Sequence, residues 1–408
     1  MRIPTPTRPL RFGEFVALLA LMFSTIAFSV DAMLPALPVM AAELSPEAPN
    51  LLQLVVTVFV LGMGLGTLIA GPISDALGRK SVVAVGIAIY CGAALVAARA
   101  QTLEVLLAAR FVQGLGASAP RVVTLAMVRD LYQGRMMARV MSFVMTLFVL
   151  VPAVAPAIGA GIIAVSGWRA VFLAFVVFGI VAASWMLLRQ PETHPPEKRR
   201  PLRADTLRAA LREVLGSRLV VTYIAALSLG FGQMFVHLST TPQIFAELFD
   251  RQESFPFWFA GIALAAGTSG LLNATLVMKY GMRRLATTAF AAQTALSLLM
   301  LAMVLAGPPA PWDFALYFVY MCTAFFMVGL TFGNLNALAL EPLGHIAGLA
   351  ASVVGSVSTV LAVVIAIPIA QLYDGSLVPV VTGVMLCAAL ACALMLTTRR
   401  AASATGAV

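Results

Sequence analysis

The sequence predicts an all-α integral membrane protein of twelve transmembrane helices, arranged as two six-helix bundles around a central cavity. Three observations carry that expectation. Of 408 residues, 61% are hydrophobic and only 11% charged, where a soluble domain carries about 25% charged residues. Apolar runs of about 20 residues, enough helix to cross roughly 30 Å of hydrocarbon, recur twelve times. They lie near 12–36, 51–72, 82–98, 104–128, 140–164, 169–188, 219–241, 255–278, 285–306, 314–338, 348–371 and 377–397. The longest polar stretch, RQPETHPPEKRRPLRADTLRAALREVLGSR, divides these runs six and six. It separates an N-terminal bundle (1–188) from a C-terminal bundle (219–408), with 189–218 as a cytoplasmic linker. No stretch sustains the apolar–polar alternation of a membrane β-barrel.

The first run follows Arg2, Arg8 and Arg11, as the core of a signal peptide would. A secretory apolar region spans about 7–15 residues, so this longer run reads as a retained helix. Placing both termini in the cytoplasm puts 21 Lys and Arg in the inner segments and three, Arg99, Arg169 and Arg251, in the outer loops. That asymmetry obeys the positive-inside rule. The net charge of +9 therefore describes topology and contact with anionic lipid head groups. No basic soluble module exists to bind nucleic acid. The four cysteines lie within spans, with neither the placement of a disulfide framework nor the spacing of a zinc site.

Taken in order, the first span reads VDAMLPALP around Asp31, about seven residues before its outer end. The fourth reads RFVQGLGAS around Arg110, about six residues after its outer start. At 1.5 Å per residue both lie roughly 10 Å below the outer interface, a shared depth that allows pairing directly or through water. Ionisable residues inside a span cost about 2.5–3.5 kcal/mol on insertion scales, so each needs a reason. Burial and a nearby guanidinium act oppositely on a carboxyl, so a conformational change that alters either can load or release a proton. A static ion pair joining two helices is the other reading. Arg121, eleven residues after Arg110, lies close to three turns further on and on the same face. It either faces the cavity or snorkels to the inner interface.

Between the second and third spans, GPISDALGRKS brings Gly71 and Gly78, expected to make a tight turn, and Arg79 and Lys80, which hold it on the cytoplasmic side. A solvated turn has no need of the acid Asp75. VRDLY ends the fourth span with Asp130. The fifth reads VPAVAPAIGAG, where Pro152 and Pro156 bend the helix and Gly159 permits close backbone approach. GWRAVF enters the sixth. Within the linker, ADTLRAALREVL is a basic amphipathic helix suited to the inner leaflet. In the second half KYGMRRL echoes the GRKSV stretch without a counterpart of Asp75, and EPLGHIAG precedes the eleventh span. Amides in spans more often join helices than bind ligands. Gln113, Gln233 and His237, with Asp31, Arg110 and Arg121, are the candidate substrate contacts.

These stretches together resemble the major facilitator superfamily. GPISDALGRK fits its G-x-x-x-D-x-x-G-R-[KR] pattern. RFVQGLGAS, VPAVAPAIGAG, GWRAVF and EPLGHIAG look like the drug:proton antiporter branch, and VDAMLPALP with VRDLY like its bicyclomycin/chloramphenicol-resistance exporters. The resemblance implies a proton-coupled antiporter that exports small organic compounds, phenicol-like or bicyclomycin-like, across a bacterial inner membrane by alternating access. It implies no cofactor beyond the proton gradient, and as partners cargo, protons and the bilayer around a monomer. It gives Asp31 a part in proton and substrate binding and makes Arg110 its tuner. It makes Gly71, Asp75, Gly78, Arg79, Lys80 and Asp130 a gating latch, with Asp75 meeting the start of the eleventh helix near Gly348 and Arg79 pairing with Asp130. Pro152, Pro156 and Gly159 would seal a leak, although Ala160 departs from the usual P-x-x-G-G. Phe23 stands where some relatives carry a second acid, so coupling would rest mainly on Asp31 and cationic cargo would lose an anchor. The alternative is an importer or facilitator of a small metabolite in the same superfamily. No nucleotide, metal or catalytic fingerprint points to an enzyme or an ATP-driven pump.

Overall fold

In hydrocarbon every backbone N–H and C=O must be satisfied within the segment, so long apolar runs condense into helices. The computed structural model describes residues 9–199, 204–307 and 312–404. It contains α1 (Phe12–Asp31), α2 (Leu37–Leu44), α3 (Leu54–Leu77), α4 (Arg79–Ala98), α5 (Leu103–Leu131), α6 (Gly134–Ser166) and α7 (Arg169–Arg189). There follow α8 (Ala204–Gly216), α9 (Arg218–Glu247), α10 (Phe255–Tyr280), α11 (Met282–Ala306), α12 (Trp312–Leu340), α13 (Ala347–Gln371) and α14 (Val378–Ala404). Eleven segments among the described residues are long and apolar enough to span a membrane. One of them, Trp312–Gln371, holds both α12 and α13, broken where Leu343 leaves helical angles. The chain is thus a multi-pass, all-helical membrane protein. Arg2 and Arg8 of the charge count, and Arg200 and Arg203 of the linker, lie outside the described residues.

Two expectations about the spans are corrected. The first span is not one helix. Pro35 cannot donate to the carbonyl of Asp31, nor Pro38 to that of Leu34, so α1 ends at Asp31 and a 3₁₀ turn (Leu34–Ala36) leads into α2. The stretch around GPISDALGRKS is not a loop. Helix α3 continues through Gly71 and Pro72 to Leu77, because one missing donor at Pro72 bends a helix without ending it. Gly71 is helical and turns nothing. The break is the single residue Gly78, whose φ of 95° suits a residue without Cβ.

Contacts divide the chain into two units, Met1–Thr206 and Leu207–Val408. In the first, the α1–α2 segment is clasped to α7 at both ends. Glu14 accepts from Arg189 Nε at 2.9 Å and Glu43 from Arg169 Nη2 at 2.7 Å, with the Trp168 indole donating to Glu43 at 2.7 Å. Phe15, Leu19, Phe23, Val83, Val123 and Met186 pack the core between them. In the second, rings of Phe245, Phe255, Phe314 and Tyr317 interlock α9, α10 and α12. The linker helix α8 was expected to offer its apolar face to lipid. Ala210 and Val214 at the centre of that face are instead buried by protein, and Glu213 meets His345 at 2.7 Å.

Candidate functional site

Because Pro35 stops α1, Asp31 is its last helical residue. Its side chain is 5% exposed, and among the described residues no hydrogen bond or ion pair reaches its carboxyl; burial is the only influence on it. On the following residue, α6 approaches without a gap: a Cβ added to Gly159 would overlap the backbone carbonyl of Ala32. Pro152 and Pro156 lie in the same continuous helix.

Helices α3 and α5 also meet backbone to backbone. A Cβ at Gly62 would overlap the carbonyl of Phe111, and one at Gly114 the carbonyl of Phe59. That closeness carries Arg110, fully buried, onto α3. Its Nε donates to Val55 O at 3.1 Å, Nη1 to Gln113 Oε1 at 2.7 Å and Nη2 to Ser29 O at 3.2 Å. The Phe59 ring lies 4.2 Å and the Phe172 ring 5.9 Å from its guanidinium carbon. Direct pairing of Asp31 with Arg110 is therefore not what the structure holds. Carbonyls in the final turn of a helix lack intrahelical donors, and the one at Ser29 is within reach where the carboxylate is not. The Ser29 hydroxyl shares a 2.6 Å hydrogen bond with the Tyr90 hydroxyl. Neither residue stands out in the sequence, where hydroxyls in spans are commonplace.

Arg121 lies beside the same helix. Gly66 packs against Leu115 and Ser118, so α3 and α5 run in parallel and Arg121 is level with about Ile69. Its Nη1 instead meets Met63 Sδ at 3.9 Å, roughly 9 Å back along α3. The side chain points away from the Arg79 end of the bundle, which is the opposite of snorkelling toward it.

At that end Arg79, 3% exposed, donates to Asp75 at 2.5 Å and bidentately to Asp130 at 3.0 and 3.2 Å. It also donates to Ser74 Oγ. Arg79 and Lys80 open α4, where two bases oppose the helix dipole. An acid absent from the sequence-based site answers them: Glu192 accepts from Arg79 N at 3.0 Å and Lys80 N at 3.1 Å. Thr193 donates to Asp130 at 2.9 Å, and the Arg199 guanidinium lies against Gly78. The start of the linker is thus folded onto the Gly78 break. The available signal was an acid set among the linker's bases.

Phe23 meets Phe148 edge-to-face at 5.0 Å in the apolar core of the first unit. Gln113 belongs with Arg110 in the first unit. Gln233 and His237, both fully buried, lie on α9 in the second. Among the described residues no group of three His, Cys, Asp or Glu is placed to hold a metal ion.

Comparison with known proteins bears on this arrangement. The family model described as Major Facilitator Superfamily matches residues 18–367. An uncharacterized MFS-type transporter, YdgK, of Bacillus subtilis is 29% identical, covering 92% of each chain. The bicyclomycin resistance protein homolog of Haemophilus influenzae is 30% identical over 84% of this chain and 85% of its own. Multidrug resistance protein MdtL of Escherichia fergusonii is 29% identical over 80% of each. Among solved structures, the xylose transporter XylE from E. coli in a partially occluded inward-open conformation superposes with a TM-score of 0.76 at 11% identity. It covers 95% of this chain and 97% of its own, a likeness of fold.

Proposed function

The chain belongs to the Major Facilitator Superfamily, a family of transporters and not enzymes, and on that premise we propose that it is a proton-coupled antiporter. In this reading it exports small uncharged or zwitterionic organic compounds, phenicol-like or bicyclomycin-like, by alternating access. The observation that carries the proposal is the partnerless Asp31 at the break of the first span. An acid locked in an ion pair exchanges its proton reluctantly. One engaged by no donor or cation exchanges it wherever water reaches it, and the helix break beside it is where the backbone can rearrange. The resistance proteins among its relatives support the cargo class. The Arg79–Asp75–Asp130 cluster serves as a latch that opens during turnover. The protein works as a monomer in a bacterial inner membrane with both termini in the cytoplasm.

The test is cargo-dependent proton release from proteoliposomes carrying wild-type protein or Asp31→Asn. Release is expected from the wild type and not from the variant, which loses no contact and stays folded. Full coupling in Asp31→Asn would falsify the assignment. Export by cells whose proton gradient has been collapsed would count equally against it.

A further inference from the structure

Polar side chains buried in a helical bundle are costly unless each polar atom finds a partner. Among the described residues of the second unit, a group around His237 departs from that rule. On α9, Gln233 and His237 are one turn apart and 0% exposed; on α11, Gln293 is 1% exposed. Gln233 Oε1, both ring nitrogens of His237 and Gln293 Nε2 have no hydrogen-bond partner among the described residues. His237 and Gln293 lie against Tyr320 of α12, and Gln233 is one turn along α9 from His237. The Tyr320 ring is 5.7 Å from that of His237, its hydroxyl is 3.0 Å from Ser297 Oγ, and the Gln293 amide is beside the same hydroxyl. The Phe325 ring also lies near the imidazole, 6.2 Å between centroids. Among the described residues no charged group is near enough to act on the His237 ring.

From this arrangement we propose that the second unit contains its own ligand site, centred on His237, which holds an uncharged hydrogen-bonding group of the transported compound. The inventory of atoms defines the group. Gln233 Oε1 accepts, Gln293 Nε2 donates, and a neutral imidazole offers one donor and one acceptor. A charged group would meet no counter-charge there and would forfeit its hydration. The complement is a neutral group that donates and accepts together, a carboxamide or hydroxyl, carried on an apolar or aromatic frame that Tyr320 and Phe325 can flank. Cargo is then held on a different helix, in a different unit, from the acid that exchanges the proton. The two ligands are linked through conformation and do not compete for one carboxyl. The inference rests on the exporter reading for the identity of its ligand, but not for its geometry.

The experiment measures binding to purified full-length protein in lipid nanodiscs, with chloramphenicol, an uncharged aromatic amide bearing hydroxyls, and tetraphenylphosphonium, a permanent cation, as probes. His237→Phe and Gln233→Leu are each expected to weaken chloramphenicol binding about tenfold, the scale of one lost buried hydrogen bond. His237→Gln, which keeps a donor and an acceptor, should recover most of that loss. Should either α9 variant unfold, Gln293→Met tests the same site from α11. Chloramphenicol binding indifferent to these substitutions, no binding to the wild type, or preference for the cation would each overturn the site. Binding that depends on His237 without gradient-driven export would sustain the site and reject the exporter reading. Gradient-driven export with binding indifferent to His237 would do the reverse.

Discussion

Two arginines on one face of α5 differ in what surrounds them, and the difference predicts opposite outcomes on removal. Arg110 gives a donor from each branch of its guanidinium to α1, α3 and its own helix and is flanked by two rings. It is a joint between helices. A lysine is a point charge that cannot serve three acceptors in a fixed fork. Arg110→Lys should therefore lower the unfolding temperature and the yield of folded protein, read by thermal shift of the purified variant. Arg121 has a methionine sulfur for company and no acid. Replacing an unpaired, half-buried charge with an apolar side chain of similar volume is often neutral or stabilising. Arg121→Leu should unfold no lower than the wild type, and a marked fall would show that the guanidinium has a structural partner. That contrast was not legible in the sequence. Spacing places both arginines on one face, but which carbonyl or carboxylate lies opposite depends on how closely α3 approaches.

At the scale of elements, the Gly78 break concentrates several constraints in one residue. Its backbone (φ 95°, ψ 157°) lies where only glycine is comfortable, and a Cβ would come within 2.6 Å of an Arg199 nitrogen. Gly78→Ala should cost about 1–3 kcal/mol and loosen the start of the linker. Glu192 caps the first two N–H groups of α4. Glu192→Ala should cost about 1–2 kcal/mol, as lost caps and helix-terminal charges do. Limited proteolysis reports the same event: trypsin should cut the linker faster in Glu192→Ala, and an unchanged rate would argue that the cap is dispensable. Gly159→Leu should abolish transport by forcing α6 off the Ala32 backbone, beside Asp31. The apolar helices, the Pro-induced end of α1 and the small-residue contacts follow from composition and local chemistry. The return of Glu192 to the start of α4 does not, because it joins residues more than a hundred positions apart.

Over the whole chain, the contacts put the boundary at Thr206/Leu207, beyond the segment that carries Glu192 and Thr193. Co-expressing 1–206 with 207–408 should give more stable N-terminal protein than co-expressing 1–188 with 189–408, because the shorter fragment loses the acid that caps α4. Equal stability of the two N-terminal pieces, measured by heating in detergent, would contradict that. Solvation accounts for what can be read from residue order alone. A chain this apolar has to bury its backbone polarity in long helices, interrupt them with the polar segments that water demands, and leave its few in-span charges conspicuous, so spans, halves and the in-span positions of Asp31 and Arg110 are all visible. Solvation says nothing about partners. Arg110 turns to the carbonyls of Val55 and Ser29 and not to Asp31, Arg121 folds back toward Met63, and polar atoms of Gln233, His237 and Gln293 are buried without satisfying one another. Each outcome depends on differences of an ångström or two in helix approach, which short-range packing sets and hydropathy does not encode.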